Sequence, residues 1–325
     1  MKICIIGAGA IGGFIGTRLA RGGNAVSAVA RGATATALAE RGWRLDMAGE
    51  LLIAPVRVAE EPRDLGPHDL VVIAVKAPAL GDAAQRVAPL LARDTVVLTA
   101  MNGVPWWFFD GLGGRYEALK LASIDPQGRI AAAIPTRHVV GCVVHATCST
   151  PEPGLVRHGF GNRLIIGEPS GGGSERVAAL AELLQRAGFD APVSPRIQTD
   201  IWYKLWGNMT MNPISALTGA TSDKILNDPL ITAFCLAAMR EAAAIGTRIG
   251  CPIGQTGEDR MAVARKLGPF KTSMLQDLEA GKPPEIDALL SAVHEIGATV
   301  GEPTPQIDAL LGLVRLQARM RGLYP

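Results

Sequence analysis

Lys204, Asn208 and Asn212 recur at four-residue intervals inside IWYKLWGNMTMNPISALTG. On an α-helix each such step drifts by only about 40°, so the three side chains share one face. An ammonium beside two amides suits a carbonyl compound. The amides orient the oxygen and its neighbours, and the ammonium donates a proton to it. Trp202 and Trp206 flank the lysine in sequence. A lysine among indoles is expected to be partly desolvated, which lowers its pKa and makes it a usable acid near neutral pH. Pro213 removes a backbone donor and crowds the preceding turn, so the helix is expected to kink or loosen around Met209 to Asn212. Spacing alone does not separate this reading from a snorkelling lysine with two surface asparagines.

Reducing a ketone needs a hydride on carbon as well as a proton on oxygen, and the start of the chain carries a site for a hydride carrier. Gly7-Ala8-Gly9-Ala10-Ile11-Gly12 follows the apolar run Lys2 to Ile6 and opens a helical stretch. In a GxGxxG turn, glycines permit the tight turn, the approach of a pyrophosphate and close helix–strand packing. The helix start at Ala10 and Ile11 then favours phosphate charge. The second strand, Ala25 to Ala30, ends in Arg31 rather than the acidic residue expected for ribose hydroxyls. A guanidinium suits a 2′-phosphate, so NADP(H) is the expected cofactor. Lys76 and Asn102-Gly103 stand just past the ends of the strands LVVIAV and TVVLT, where open α/β sheets bind ligands. A lysine entering solvent and an ordinary Asn-Gly turn are the alternatives there.

These motifs need elements to hold them. Strands at Leu70 to Val75 and Thr95 to Thr99, with a helical stretch at Leu80 to Ala92 between them, imply a parallel, doubly wound sheet. Val139 to Ala146 and Arg163 to Ile166 read as later strands, Glu175 to Ala187 as a helix and Ala191 to Val193 as a last strand. From Gln198 onward the pattern is helical, with breaks at Asn227–Pro229, Gly250–Pro252, Lys282–Pro284 and Gly301–Pro305. The fold class is α/β: a Rossmann-type NADP-binding domain over 1–195 and an all-helical substrate and catalytic domain over 196–325. In KTSMLQDLEAGKPPEID, Thr272 or Ser273 suits a helix cap, and Glu285 suits a helix start after Pro284.

Composition narrows the class of function. The 325 residues carry a formal charge of +2, with 48% hydrophobic and 19% charged residues. That balance argues for a globular enzyme and against a nucleic-acid or membrane-surface protein. Five scattered cysteines suit a reduced cytoplasmic protein. The apolar N-terminus reads as mature structure because its glycines fall in the fingerprint. No uninterrupted apolar run approaches the roughly 18 residues of a membrane span. Cys142, His145 and Cys148 lie three apart on a strand pattern, which points successive members to opposite faces. No metal site is expected.

Taken together, GAGAIGG, Arg31, Lys76, Asn102-Gly103, KLWGNMTMNP and SMLQDLEAGKPPEID resemble the 2-dehydropantoate 2-reductase (ketopantoate reductase) family, in the same order over most of the chain. The resemblance implies NADPH-dependent reduction of the small 2-keto acid 2-dehydropantoate to pantoate, a step toward pantothenate. It implies Lys204 and Glu285 as the catalytic pair, with Lys204 protonating the ketone oxygen and Glu285 holding the substrate hydroxyl. Asn208, Asn212 and Ser273 become substrate ligands, with Ser273 and Asn102 near the substrate carboxylate. Lys76 becomes a cofactor contact, Arg31 the reader of the 2′-phosphate, and the assembly a dimer. One segment departs from the family. Residues 104–140 form a long connection holding two of the five tryptophans and two of the seven phenylalanines. Long connections are usually functional or disordered, so Trp106 and Trp107 are expected to line or cover the substrate pocket; a surface hairpin or dimer contact is the alternative. A reductase of another 2-keto acid, or a non-catalytic NADP(H)-binding regulator, stands as the rival reading.

Overall fold

A computed structural model describes residues 1–266 and 268–325. Nine strands form one sheet in the order β4-β3-β9-β8-β7-β6-β1-β2-β5. They are β1 (Lys2–Ile6), β2 (Ala25–Val29), β3 (Trp43–Met47), β4 (Glu50–Ala54), β5 (Arg57–Ala59), β6 (Leu70–Ile73), β7 (Val96–Ala100), β8 (Val139–Glu152) and β9 (Leu155–Gly167). β5, β2, β1, β6, β7 and β8 run parallel to one another. The central runs, such as LVVI in β6, are buried throughout, as a strand covered on both faces requires. Helices α1 (Ala10–Arg21), α2 (Gly32–Arg41), α3 (Leu80–Arg86) and α4 (Arg129–Ala133) connect these strands, and α5 (Glu175–Arg186) follows the last of them. The α/β class read from the sequence holds.

The sheet also contains strands the sequence pattern does not announce. β3 and β4 form an antiparallel hairpin whose turn, Ala48 and Gly49, has φ of 54° and 81°. Positive φ at both positions matches the twist of a tight hairpin. β8 and β9 pair as a long antiparallel hairpin interrupted by register shifts. The expected strand at Ala191 to Val193 reduces to isolated bridges, Arg163 with Asp190 and Ile166 with Val193. The expected helix Leu80 to Ala92 stops at Arg86, and Pro89 sits in a 3₁₀ turn over Ala88–Leu90. Proline's missing N–H accounts for that break.

The chain separates into two compact units. The first comprises Met1–Met101, Trp106–Lys120 and Gln127–Ile197; the second comprises Asn102–Pro105, Leu121–Pro126 and Gln198–Pro325. The second unit is helical: α6 (Ile197–Thr218, beginning one residue earlier), α7 (Ser222–Asn227), α8 (Pro229–Arg248), α9 (Gly257–Lys266), α10 (Ser273–Glu279), α11 (Ala292–Val300) and α12 (Pro305–Met320). Asp228 caps α8 by accepting from Leu230 and Ile231, the Asp-Pro start that helix geometry favours. By length and hydropathy alone α8 suits a membrane span. In the fold its Cys235, Ala238, Met239 and Ala242 are buried.

The aromatic segment overturns one expectation. Trp106 and Trp107 do not lie open over a pocket but are built into the core of the first unit, 5% and 1% exposed. Phe108 and Phe109 are buried with them. The Trp106 indole donates to the Ile134 carbonyl at 3.4 Å. Trp107 fills the space left by Gly141, where a Cβ would stand 2.6 Å from its ring. Aromatic side chains carry the largest apolar area per residue, so once the segment folds onto the sheet they go inward. Trp107→Ala is expected to lower unfolding free energy by about 3–5 kcal/mol in denaturant titration, because a large cavity opens in a filled core.

Candidate active site

The side chain of Lys204 is half-buried, and its Nζ donates to Asn102 Oδ1 at 2.7 Å. Asn102 is brought there by the residue after it. Gly103 holds φ +80°, and a Cβ on it would lie 2.4 Å from the Ala288 carbonyl oxygen and 2.6 Å from the Ala288 Cβ. Val104 N donates to the same carbonyl at 2.9 Å. Ala288 belongs to a single π-helical turn, Asp287–Ser291. Such turns are rare and frequent at functional sites. Asp287 Oδ1 fastens this one by accepting from Ser291 Oγ at 2.6 Å and from Tyr324 OH at 2.7 Å. Glu285 precedes the turn and is only 4% exposed. Its carbonyl accepts from Leu289 N at 3.3 Å, so it stands at the helix start that the sequence allowed, with its carboxylate out of solvent.

The tryptophans of the motif face the other way. Positions two apart on a helix point about 200° from each other. Trp202 and Trp206 accordingly turn away from Lys204, and their indoles donate to the α8 carbonyls of Ala242 at 3.1 Å and Met239 at 2.7 Å. They fasten α6 to α8 and do not form the lysine's immediate surroundings, contrary to the expectation. α6 continues through Pro213 to Thr218.

Asn208 and Asn212 line a cavity of about 130 Å³ in the second unit, together with Gly207, Met211, Arg260 and Phe270 among others. Asn102, Lys204, Ser273 and Glu285 are not part of its lining. Thr272, not Ser273, caps α10, accepting from Leu275 N at 3.4 Å. The Thr272 hydroxyl also donates to the Asn212 carbonyl at 3.5 Å, which sets the first turn of α10, with half-buried Ser273, beside the end of the α6 polar face.

In the first unit the glycine turn has the form a dinucleotide needs. Gly7 takes φ +93°, and a Cβ on it would stand 2.8 Å from the Ala74 backbone. A Cβ on Gly12 would fall 2.0 Å from the Gly7 carbonyl. At Gly9, the N-cap of α1, a Cβ would meet nothing within 4 Å. Two glycines are therefore consumed by packing, and the third leaves open space at a helix start with no acidic residue in its first turn. A pyrophosphate fits there beside the N–H groups that open α1, at Ala10 and Ile11. Arg31 caps α2 at the end of β2, and its guanidinium meets Asp82 Oδ2 at 3.0 Å, both groups more than half exposed. Lys76 is exposed at the start of a 3₁₀ turn after β6.

Sequence reading passed over one pair. Gly207 sits mid-helix in α6, and a Cβ on it would lie 3.0 Å from both Nε and Nη2 of Arg260. A glycine inside a helix costs up to about 1 kcal/mol, so its presence in KLWGNMTMNP was a signal of close approach by another group. Arg260 itself, in the short helix α9, carried no such signal.

Comparison with known proteins adds to this geometry. Residues 3–171 match the family model described as ketopantoate reductase PanE/ApbA, and residues 196–318 match its C-terminal counterpart. A 2-dehydropantoate 2-reductase of Mesorhizobium japonicum is 50% identical over the full length of both chains. A crystal structure from Ralstonia solanacearum MolK2, described as a candidate ketopantoate reductase, superimposes with a TM-score of 0.96 at 61% identity, covering 99% of each chain. A dimeric ketopantoate reductase of Staphylococcus aureus shares the fold, with a TM-score of 0.75 at 19% identity over 99% of this chain and 100% of that one.

Gly103→Ala tests what places Asn102. The substitution forces a Cβ into the Ala288 backbone at a strained φ, which costs about 1–3 kcal/mol from conformation alone. Thermal unfolding is expected to shift to lower temperature, and by more than in Asn102→Ala, which removes the side-chain hydrogen bond but no backbone contact.

Proposed function

The chain belongs to the ketopantoate reductase family, an oxidoreductase family acting on a 2-keto acid with a nicotinamide cofactor, and from that premise we propose that it reduces 2-dehydropantoate to pantoate with NADPH, Lys204 serving as general acid. The observation that carries the proposal is the hydrogen bond from Lys204 Nζ to Asn102 Oδ1 at 2.7 Å. It fixes a proton donor on a helix face that also presents Asn208 and Asn212. A general acid must lie within hydrogen-bond reach of the atom it protonates, and a tethered ammonium meets that demand better than a free one.

In this reading Asn208 and Asn212 orient the keto group through their amides. Ser273 and the amide N–H groups of Asn102 donate to the substrate carboxylate, and the Glu285 carboxylate accepts from the substrate hydroxyl. Lys204 gives one proton from Nζ to the keto oxygen as that oxygen gains negative charge, becomes a neutral amine, and regains a proton from water. When bound, the nicotinamide supplies the hydride that reaches the keto carbon. Gly7, Gly9 and Gly12 shape the turn that receives its pyrophosphate, and Lys76 contacts it from the end of β6.

Arg31 gives the preference for NADPH. Its partner Asp82 does not block that role. An exposed pair of this kind is worth at most about 1 kcal/mol, whereas a phosphate dianion offers forked, charge-assisted hydrogen bonds. Arg31 would thus exchange Asp82 for a 2′-phosphate when the cofactor is bound. We further take the working form to be a cytoplasmic homodimer. The aromatic segment, whose indoles are core residues, no longer favours another substrate.

Two measurements test the reading. Lys204→Ala is expected to lower kcat by about 10²–10⁴-fold while NADPH binding survives, and a near-normal kcat removes Lys204 from the mechanism. In a spectrophotometric assay with a panel of 2-keto acids, 2-dehydropantoate should be the preferred substrate and NADPH the preferred donor over NADH. Arg31→Ala should erase most of the donor preference by raising KM for NADPH alone, and equal efficiency of the two donors in the wild type would sink the role given to Arg31.

A further inference from the structure

The cavity beside Asn208 and Asn212 has an electrostatic feature that the proposed mechanism does not use. Its walls are otherwise apolar or neutral, and Arg260 is the only charged residue among the described residues that line it. The guanidinium lies against α6 in the space left by Gly207, one helical turn from Lys204. Its Cζ stands 5.2 Å from the centroid of the Tyr203 ring. That ring is itself held by a hydrogen bond from Tyr203 OH to Gln255 Oε1 at 2.8 Å. Arg260 Nε is buried and has no hydrogen-bond partner among the described residues.

An arginine N–H removed from water without a partner is costly. A guanidinium positioned by packing and a ring, rather than by a carboxylate, is prepared for an anion from solution. The anion must be small and must carry apolar substance, because Met211, Met261 and Phe270 are among the residues of the wall. A branched 2-keto acid meets both conditions.

We propose that Arg260 is a specificity-determining residue that reads the substrate's carboxylate as a charge, from the cavity that Asn208 and Asn212 also line. The inference rests on the reading of the α6 face as the substrate site. Neutral donors bind a carboxylate and the corresponding amide with little distinction, whereas a cation favours the carboxylate. Arg260 therefore makes the enzyme selective for acids.

The test is a cycle of protein and substrate. Efficiency is measured for 2-dehydropantoate and for its uncharged amide, in the wild type and in Arg260→Met. For the acid, kcat/KM is expected to fall about 100-fold, chiefly through KM, as loss of a charge-assisted hydrogen bond predicts. For the amide it is expected to change by less than about threefold. Arg260→Lys should recover part of the loss for the acid only. Equal losses for acid and amide would mean that Arg260 merely supports the fold, and no loss for either would remove it from the site; both outcomes overturn the proposal. If the wild type prefers another 2-keto acid, the substrate named above fails while the same cycle is read on that acid and its amide. If it turns over none, calorimetric titration of pantoate and its amide gives the same comparison, and a wild type that does not favour the acid overturns the proposal. Circular dichroism identifies a variant that has failed to fold, and Gly207→Ala, which displaces the guanidinium without removing it, then serves in its place with the same acid-selective loss expected.

Discussion

Gly103 holds a backbone conformation and an approach to another backbone that no side chain permits. The candidate site depends on both. With φ at +80° the chain turns so that the Ala288 carbonyl oxygen comes within 2.9 Å of Val104 N. Asn102 is thereby fixed at the π-helical turn, and its Oδ1 is presented to Lys204. The turn is fastened in its own right by Asp287, which accepts from Ser291 and from Tyr324, the penultimate residue. A short segment after β7, a turn near Ala288 and the end of the chain thus converge on one hydrogen bond. That convergence explains why Asn102–Pro105 clusters with the helical unit although it follows a strand of the sheet.

α6 makes use of its whole circumference. One side is fastened to α8 by two indole N–H donors, and the other presents Lys204, Asn208 and Asn212. Fastening the rear of a helix is what allows its front to hold polar groups at fixed positions, since a loosely packed helix would rotate or shift under an ordered ligand. Gly207 adds a local gap on the front into which Arg260 settles. The costs of a mid-helix glycine and a mid-helix proline are offset by this tertiary packing, in keeping with the general weakness of propensity against burial.

The glycine turn and the α6 polar face were legible in the sequence because both depend on residues close in the chain. Spacing of three or four residues is enough to say what shares a turn or a helix face. The misreadings share a different cause. Neither the place of Trp106 and Trp107 in the core nor the turn of Trp202 and Trp206 away from Lys204 can be read from spacing, because proximity in sequence is not proximity in space. Which way an indole points is settled by the partner it finds, here Ile134, Ala242 and Met239, all distant in the chain. β3 and β4 escaped notice because an edge hairpin with charged residues at Arg44, Asp46 and Glu50 lacks the apolar run that marked the central strands. Arg260 escaped notice because its meaning comes from an absent Cβ on another helix.

The strength of the Lys204–Asn102 contact bears on how the proton donor proposed above can be both placed and released. Ordering a lysine side chain costs about 2 kcal/mol of rotamer entropy. A hydrogen bond from a charged donor returns about 1.5–3 kcal/mol. The two nearly cancel, so Asn102 holds the ammonium in position without binding it strongly. It engages one of three N–H donors and brings no charge of its own. A carboxylate in that place would raise the lysine's proton affinity and oppose the acid role proposed for it. A weak, neutral tether is sufficient because the positional precision comes from elsewhere, from the packed backbone at Gly103 and Ala288, where no side-chain entropy is lost at all.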